Sequence, residues 1–288
     1  MLRLMKLLQF SKLSQYDYLC WKNELKRKIK ISLGLKTLSP RLRSRVSTKK
    51  IKQLIKKFGF AETDSGDISW FYTAYDRGDG DPLTNHNLDF IEKNISLNSE
   101  ILVTGCGTGI MLFYLIDKGF LNVDGFDYLK ECVLVANEII KVGEYKANIW
   151  QDNGFDPVVP KKYDLVTAMH WVFSAWMGNY GNKVLDQCRV YEQEYRNNLL
   201  DEFLNKYRKF IKKDGMLIIE LTDSVADYRL DSDSPHSKCS LGLIYPVRFS
   251  PNDVKLIANK NKMEVVEYKM CQSYGHQPRV SYMIKNNC

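Results

Sequence analysis

The chain has 288 residues, of which 44% are hydrophobic and 26% charged, with a formal net charge of +8. That is the composition of a globular protein with one sizeable core and an extension, or two small domains. It argues against a membrane span, because no apolar run is long enough, and against a secretory leader, because the first residues lack an unbroken apolar core and a small-residue cleavage site.

Residues 1–60 hold 17 Lys or Arg against two acids, Asp17 and Glu24, so this segment is +15 and the remainder is −7. The expected organisation is a basic helical N-terminal extension over 1–60, followed by one domain over 61–288. Within the extension, Leu4, Leu7, Leu8 and Leu13 form one helical face, Pro40 breaks the chain, and Ile51, Leu54, Ile55 and Phe58 space a second short amphipathic helix. Two readings stand side by side for this arm. It docks on an anionic surface, membrane headgroups or RNA, or it is a solvated helical lid whose lysines keep the protein soluble.

An aromatic stretch (Ile68–Tyr75) leads into residues rich in turn formers, Gly78, Gly80, Pro82 and Asn85, and then into a short helix from Leu88. From there strands and helices alternate. Ile101–Thr104, Val123–Phe126, Ala147–Trp150 and Tyr163–Met169 read as strands, with helices over Thr108–Lys118 and Leu129–Val142. Leu199, Leu200, Phe203, Leu204, Tyr207, Phe210 and Ile211 step at helical spacing up to a stop at Gly215, and MLIIEL (216–221) is the next strand. A long lid loop spans about 223–250. Pro251–Lys260 then reads as a helix, and Glu264–Met270 with Val280–Ile284 as a closing hairpin, one strand of which runs antiparallel. The fold class is α/β: a doubly wound, mostly parallel seven-stranded sheet with helices on both faces.

The glycines of ILVTGCGTGIMLFYL alternate at Gly105, Gly107 and Gly109, at the carboxyl end of a strand, where such sheets bind ligands. Ile110 stands where the dinucleotide fingerprint needs a third small residue, and no G-K-[ST] follows for a triphosphate. A short-chain reductase pattern starts at Thr104 but ends on Met111, and the Tyr-x-x-x-Lys pairs lie in the wrong places. The seven cysteines form no C-x-x-C, and there is no H-x-H or H-E-x-x-H, so no metal is expected. Reduced thiols fit a cytoplasmic protein, on the arm's reading one peripheral to the membrane.

With G-x-G-x-G left, residues 95–285 resemble the class I S-adenosylmethionine-dependent methyltransferases in motif order. The resemblance implies S-adenosyl-L-methionine as cofactor, S-adenosyl-L-homocysteine as product, and a Rossmann-like fold of the small-molecule or glycan type. It implies that Gly105, Cys106, Gly107, Thr108 and Gly109 cradle the methionine end with backbone amides. Asp127, in VDGFDYL, would accept the ribose hydroxyls, with Tyr128 near the adenine, and Asp152 with Asn153, in NIWQDNGF, would read the adenine amino group. Met169, His170 and Trp171 end the fourth strand and would face cofactor and acceptor together. One position departs from the family: Val103 stands where an acid two places before the first glycine usually helps order the turn, which leaves room for a rearranged site or a non-catalytic relative.

Candidates for the chemistry follow from place. His170 is the first choice as general base, against a structural histidine. Asp223, after the fifth strand, is the second, against a turn-capping aspartate. His86, His236 and His276 are weaker. Trp171 and Trp176, in WVFSAWMGNYGN, offer aromatic faces to a sugar or planar acceptor, against ordinary core or lid packing. Tyr75 and Arg77 would close over the site from the N-terminal side, and Arg248 would meet an anionic substrate group; the alternatives are ordinary packing for the first pair and a surface position for Arg248. The function expected is O-methylation of a small-molecule or sugar/glycan acceptor. An RNA methyltransferase is the alternative among enzymes, and a cofactor-binding scaffold the alternative outside them.

Overall fold

The computed structural model describes residues 42–58, 82–169, 193–222, 249–272 and 278–288. Strands β1 (Glu100–Thr104), β2 (Asn122–Asp127), β3 (Asn148–Gln151), β4 (Tyr163–Ala168), β5 (Ile211–Thr222), β6 (Met263–Gln272) and β7 (Pro278–Asn286) form one sheet in the order β3-β2-β1-β4-β5-β7-β6. Six strands are parallel, and β7 runs antiparallel to both β5 and β6. The order reverses between β1 and β4, so the crevice that such a reversal opens lies at their carboxyl ends.

Alternation along the strands divides the core. Ile101, Val103, Leu165, Ile218 and Met283 face a layer made by α1 (Thr48–Lys57), α2 (Pro82–Asn94), α3 (Ile110–Asp117) and α4 (Lys130–Gly143). Leu102, Val166, Leu217, Ile219 and Tyr282 face the opposite layer, α5 (Gln193–Arg208) and α6 (Pro251–Lys260). α3 is apolar almost throughout, with Ile110 to Leu115 all buried, as befits a short helix packed on β2 within the core.

α1 buries Ile51, Leu54 and Ile55 against this core. Its approach is pinned by Arg45, whose Nε donates to Asp117 Oδ1 (2.7 Å) and whose Nη1 donates to the carbonyls of Gly143 and Glu144 (3.3 Å each). A guanidinium there meets the negative end of α4 and also lies over the Tyr145 ring, 4.5 Å from its centroid.

Two elements differ from the sequence expectation. α2 begins at Pro82, not Leu88: proline fits the first helical position because its missing N–H has no intrahelical partner there, and Leu83, Leu88 and Ile91 then share a buried face. α5 ends at Arg208 and Ile211 already belongs to β5, paired with Tyr163. Phe210 and Ile211 satisfy both periodicities, and the parallel ladder with β4 prevails. Three extra residues bulge out before Met216 pairs with Leu165, with Asp214 at φ 62°.

Candidate active site

The chain leaves β1 through three glycines, each with positive φ: Gly105 at 59°, Gly107 at 54° and Gly109 at 87°. Only glycine adopts this alternation without strain. At Gly109 a Cβ would also stand 2.8 Å from the Phe113 ring. The turn is fastened by backbone bonds from Cys106 N–H to Phe126 O (3.0 Å) and from Gly109 N–H to Cys106 O (2.9 Å). Gly109 is the N-cap of α3 and brings no side chain to the helix's first N–H groups, so the positive end of α3 faces the carboxyl edge uncapped.

Asp127, the last residue of β2, binds this turn. Its Oδ2 accepts from Gly107 N–H (2.7 Å) and its Oδ1 from Leu129 N–H (2.9 Å). It is only 9% exposed. Burial pushes its carboxyl above the ordinary range, and the hydrogen bonds it accepts, including one from Cys132, pull the other way. Cys106 is buried beside it, and burial together with the neighbouring carboxylate holds its thiol firmly protonated. Both oxygens of Asp127 are thus held by donors of the protein, which fixes the carboxylate at the end of β2. Tyr128 stands next to it at the surface, its carbonyl held by Gln151 Nε2 (3.0 Å).

Asp152 serves its own loop. Oδ1 accepts from Asn153 N–H (2.7 Å), and Oδ2 accepts from the Trp150 indole (3.2 Å) and Val158 N–H (2.9 Å). Asp152 N–H in turn donates to Asp127 O (3.0 Å), which ties the β3 loop to the end of β2, and Asn153 Oδ1 accepts from Phe155 N–H (3.0 Å). The structure therefore brings Gly105 through Gly109, Asp127, Tyr128, Asp152 and Asn153 to the carboxyl ends of β1, β2 and β3. Thr108 and Met169 are buried at the same edge. His170, Asp223, Tyr75, Arg77, Trp171, Trp176 and Arg248, with His236 and His276, lie outside the described residues. His86 lies on α2, its Nε2 3.2 Å from Glu267 on the far edge strand β6.

Val103 is 4% exposed and faces the apolar layer of α3. Its cross-strand partner on β4 is Thr167, fully buried, whose hydroxyl has no hydrogen-bond partner among the described residues. Where the resemblance leads one to expect an acid on β1, this chain has an apolar side chain and a hydroxyl on the adjoining strand.

Sequence reasoning missed a buried polar cluster near the carboxyl end of β5. Glu220 accepts from Asn87 Nδ2 of α2 (2.9 Å) and from Arg279 Nη1 of β7 (2.8 Å), and Ser281 donates to Asn87 Oδ1 (2.6 Å). A signal was present, since Glu220 is a lone acid inside the apolar run MLIIEL. The cluster clamps α2 to β5 and β7.

A methyltransferase from Clostridium acetobutylicum ATCC 824, described as S-adenosylmethionine-dependent, is similar at a TM-score of 0.53 and 13% identity, over 78% of this chain and 99% of that one. Magnesium protoporphyrin IX methyltransferase from Synechocystis PCC 6803, solved with bound S-adenosylhomocysteine, is similar at a TM-score of 0.48 and 13% identity, over 69% of this chain and 80% of that one. Ribosomal protein L11 methylase from Lactobacillus delbrueckii subsp. bulgaricus gives 0.46 and 13%, over 72% and 79%. No protein-family model matches the sequence, and no curated protein does. The first of these likenesses, with the strand order, shows the fold: it is that of the class I methyltransferases.

Proposed function

We propose that the protein binds S-adenosyl-L-methionine at the carboxyl ends of β1 and β2 and methylates a hydroxyl of a small-molecule or sugar/glycan acceptor. One observation carries the reading: a turn of three positive-φ glycines whose middle N–H is held by a buried carboxylate at the next strand end. The residues fit the cofactor. The turn admits a ligand against the backbone without a Cβ in the way, the uncapped start of α3 suits a carboxylate, and the Asp127 carboxylate stands at the next strand end as the acceptor for ribose hydroxyls. Tyr128 offers a ring beside them. When bound, the cofactor supplies an electrophilic methyl group on a sulfonium.

The chain's own part is to position the acceptor oxygen in line, exclude water and take the hydroxyl proton. His170 is the residue we assign to the proton and Asp223 the second choice, while Met169 closes the cofactor side. Trp171, Trp176, Tyr75, Arg77 and Arg248 are assigned to the acceptor. The +15 segment supports RNA as a second acceptor class.

Calorimetry with S-adenosylmethionine tests the cofactor claim: binding that Asp127→Ala abolishes supports it, and absence of binding to the wild-type chain sinks it. Labelled-methyl transfer tried on nucleotide sugars, glycan fractions and RNA then separates the acceptor classes. In the same assay, His170→Ala should bind cofactor and lose turnover.

A further inference from the structure

α5 turns one stripe toward the sheet. Its buried residues are Arg196, Leu199, Leu200, Phe203, Leu204 and Tyr207, spaced by three and four. The five from Leu199 onward join the core beneath α5. Arg196 continues the same stripe one turn closer to the helix start and is 7% exposed, where helical periodicity calls for another leucine.

Its guanidinium has no counter-charge among the described residues. Nε and Nη1 are sealed from solvent with no acceptor in reach, and among the described residues Arg196 makes no hydrogen bond or ion pair. The other charged side chains buried in the described structure are all satisfied. Asp124 has Tyr163, Asn148 and Lys161; Asp127 has two backbone N–H groups; Glu220 has Arg279 and Asn87. A buried charge without a partner costs several kcal/mol. An arginine cannot escape that cost by losing its proton.

Its place in the fold says what it faces. α5 connects parallel neighbours β4 and β5, so it runs back against them and its first turn lies at their carboxyl ends. Gln193 Nε2, in that turn, donates to Asp253 Oδ1 in the first turn of α6 (3.1 Å), which fixes the level of both helix starts. Helical side chains lean toward the N-terminus, so Arg196 leans toward the carboxyl edge and away from the sheet body. That edge is the β4–β5 side of the crevice, with the glycine turn one strand beyond β4.

We infer that Arg196 binds an anionic group, a carboxylate or phosphate, carried by the acceptor. A planar fork of N–H donors suits either anion, and pairing it with one removes the cost of the bare charge. The assignment to the acceptor rests on the methyl-transfer reading; the anion site itself does not.

The test is thermal unfolding of the full-length chain at constant ionic strength, with chloride exchanged for phosphate or for acetate, with and without saturating S-adenosylhomocysteine. Phosphate should raise the Tm of the wild type by about 2–4 °C. Arg196→Met should melt above wild type in chloride and lose the phosphate response, whereas anion binding by the basic arm is common to both proteins and cancels. Acetate in place of phosphate tells which anion the fork prefers. By calorimetry, Arg196→Lys, which keeps the charge without the fork, should bind phosphate at least about fivefold more weakly.

Three outcomes overturn the inference. They are an equal phosphate response in Arg196→Met, an equal phosphate affinity in Arg196→Lys, and a response that S-adenosylhomocysteine abolishes, since the arginine would then hold the cofactor's own carboxylate. If S-adenosylhomocysteine does not bind while the phosphate response depends on Arg196, the anion site stands and only its assignment to a methyl acceptor falls.

Discussion

Asp127 sits between two requirements that pull its proton in opposite directions. Burial favours the neutral acid, and the N–H groups of Gly107 and Leu129 favour the carboxylate. The net shift is upward, so the folded chain binds this proton more tightly than the unfolded chain does. Acidification through the raised range therefore makes this group's contribution to stability more favourable, and a rise in pH removes that gain. Binding of ribose hydroxyls responds with the opposite sign, because it needs the ionised acceptor. Calorimetric affinity for S-adenosylhomocysteine should thus decline on mild acidification, starting at a higher pH than an ordinary carboxylate would impose. In Asp127→Asn the affinity should be lower by roughly thirtyfold and flat over the same range, as losing hydrogen bonds to a charged acceptor costs about 2 kcal/mol. Gly109 makes a second residue-scale test. Its φ of 87° and the Phe113 ring both oppose a Cβ, so Gly109→Ala should destabilise the fold by about 2 kcal/mol. Thermal melts should read that as a fall of about 4–8 °C.

Between elements, α2 is held on the sheet by side chains that no motif announces. α2 is seated by Asn87 on Glu220, and Glu220 is seated by Arg279; all three come from distant parts of the chain. Glu220→Ala would remove the acceptor shared by the buried Asn87 amide and the partly buried Arg279 guanidinium, and should cost about 2 kcal/mol in urea unfolding. The elements themselves were largely readable in the sequence. The glycine turn and the strand before it lie where period and spacing put them, Asp127 ends β2 next to that turn as the resemblance implies, and α6 runs over Pro251–Lys260 as read, opened by a Ser250–Asp253 capping box. What could not be read has a common cause. The start of α2 at Pro82 and the early end of α5 at Arg208 are set by tertiary partners, a buried face and a β4 ladder, which local propensity does not contain. Asp152 shows the same limit at the site: its position was predicted, but its three donors within the loop from Trp150 to Val158 appear only in three dimensions.

At the scale of the whole molecule the sequence reading treats residues 1–60 as one basic arm, yet its described part is core. Ile51, Leu54 and Ile55 are buried at 5% exposure or less, and Arg45 fastens their approach to Asp117 and to the end of α4. Charge alone does not separate the two portions, since basic residues continue through α1 on its solvent side. Residues 42–58 are tied to the domain by burial. Residues 1–41 contribute ten Lys or Arg against two acids, a charge density that suits docking on an anionic polymer. On the reading that this segment is a docking arm and no part of the core, deleting residues 1–41 should leave the melting temperature within about 2 °C of the full chain. Deleting 1–58 also removes five buried aliphatic side chains, Leu42, Val46, Ile51, Leu54 and Ile55, each contributing about 1.5–3 kcal/mol as an upper estimate. That total is comparable to the whole stability of a typical domain, about 5–15 kcal/mol, so the shorter chain should lose its cooperative melt. The same pair of deletions locates any affinity for RNA. If the arm docks there, salt-dependent binding in a filter assay disappears with residues 1–41 while calorimetric affinity for S-adenosylhomocysteine is retained. Binding that survives the first deletion would instead place the anionic partner on the domain itself.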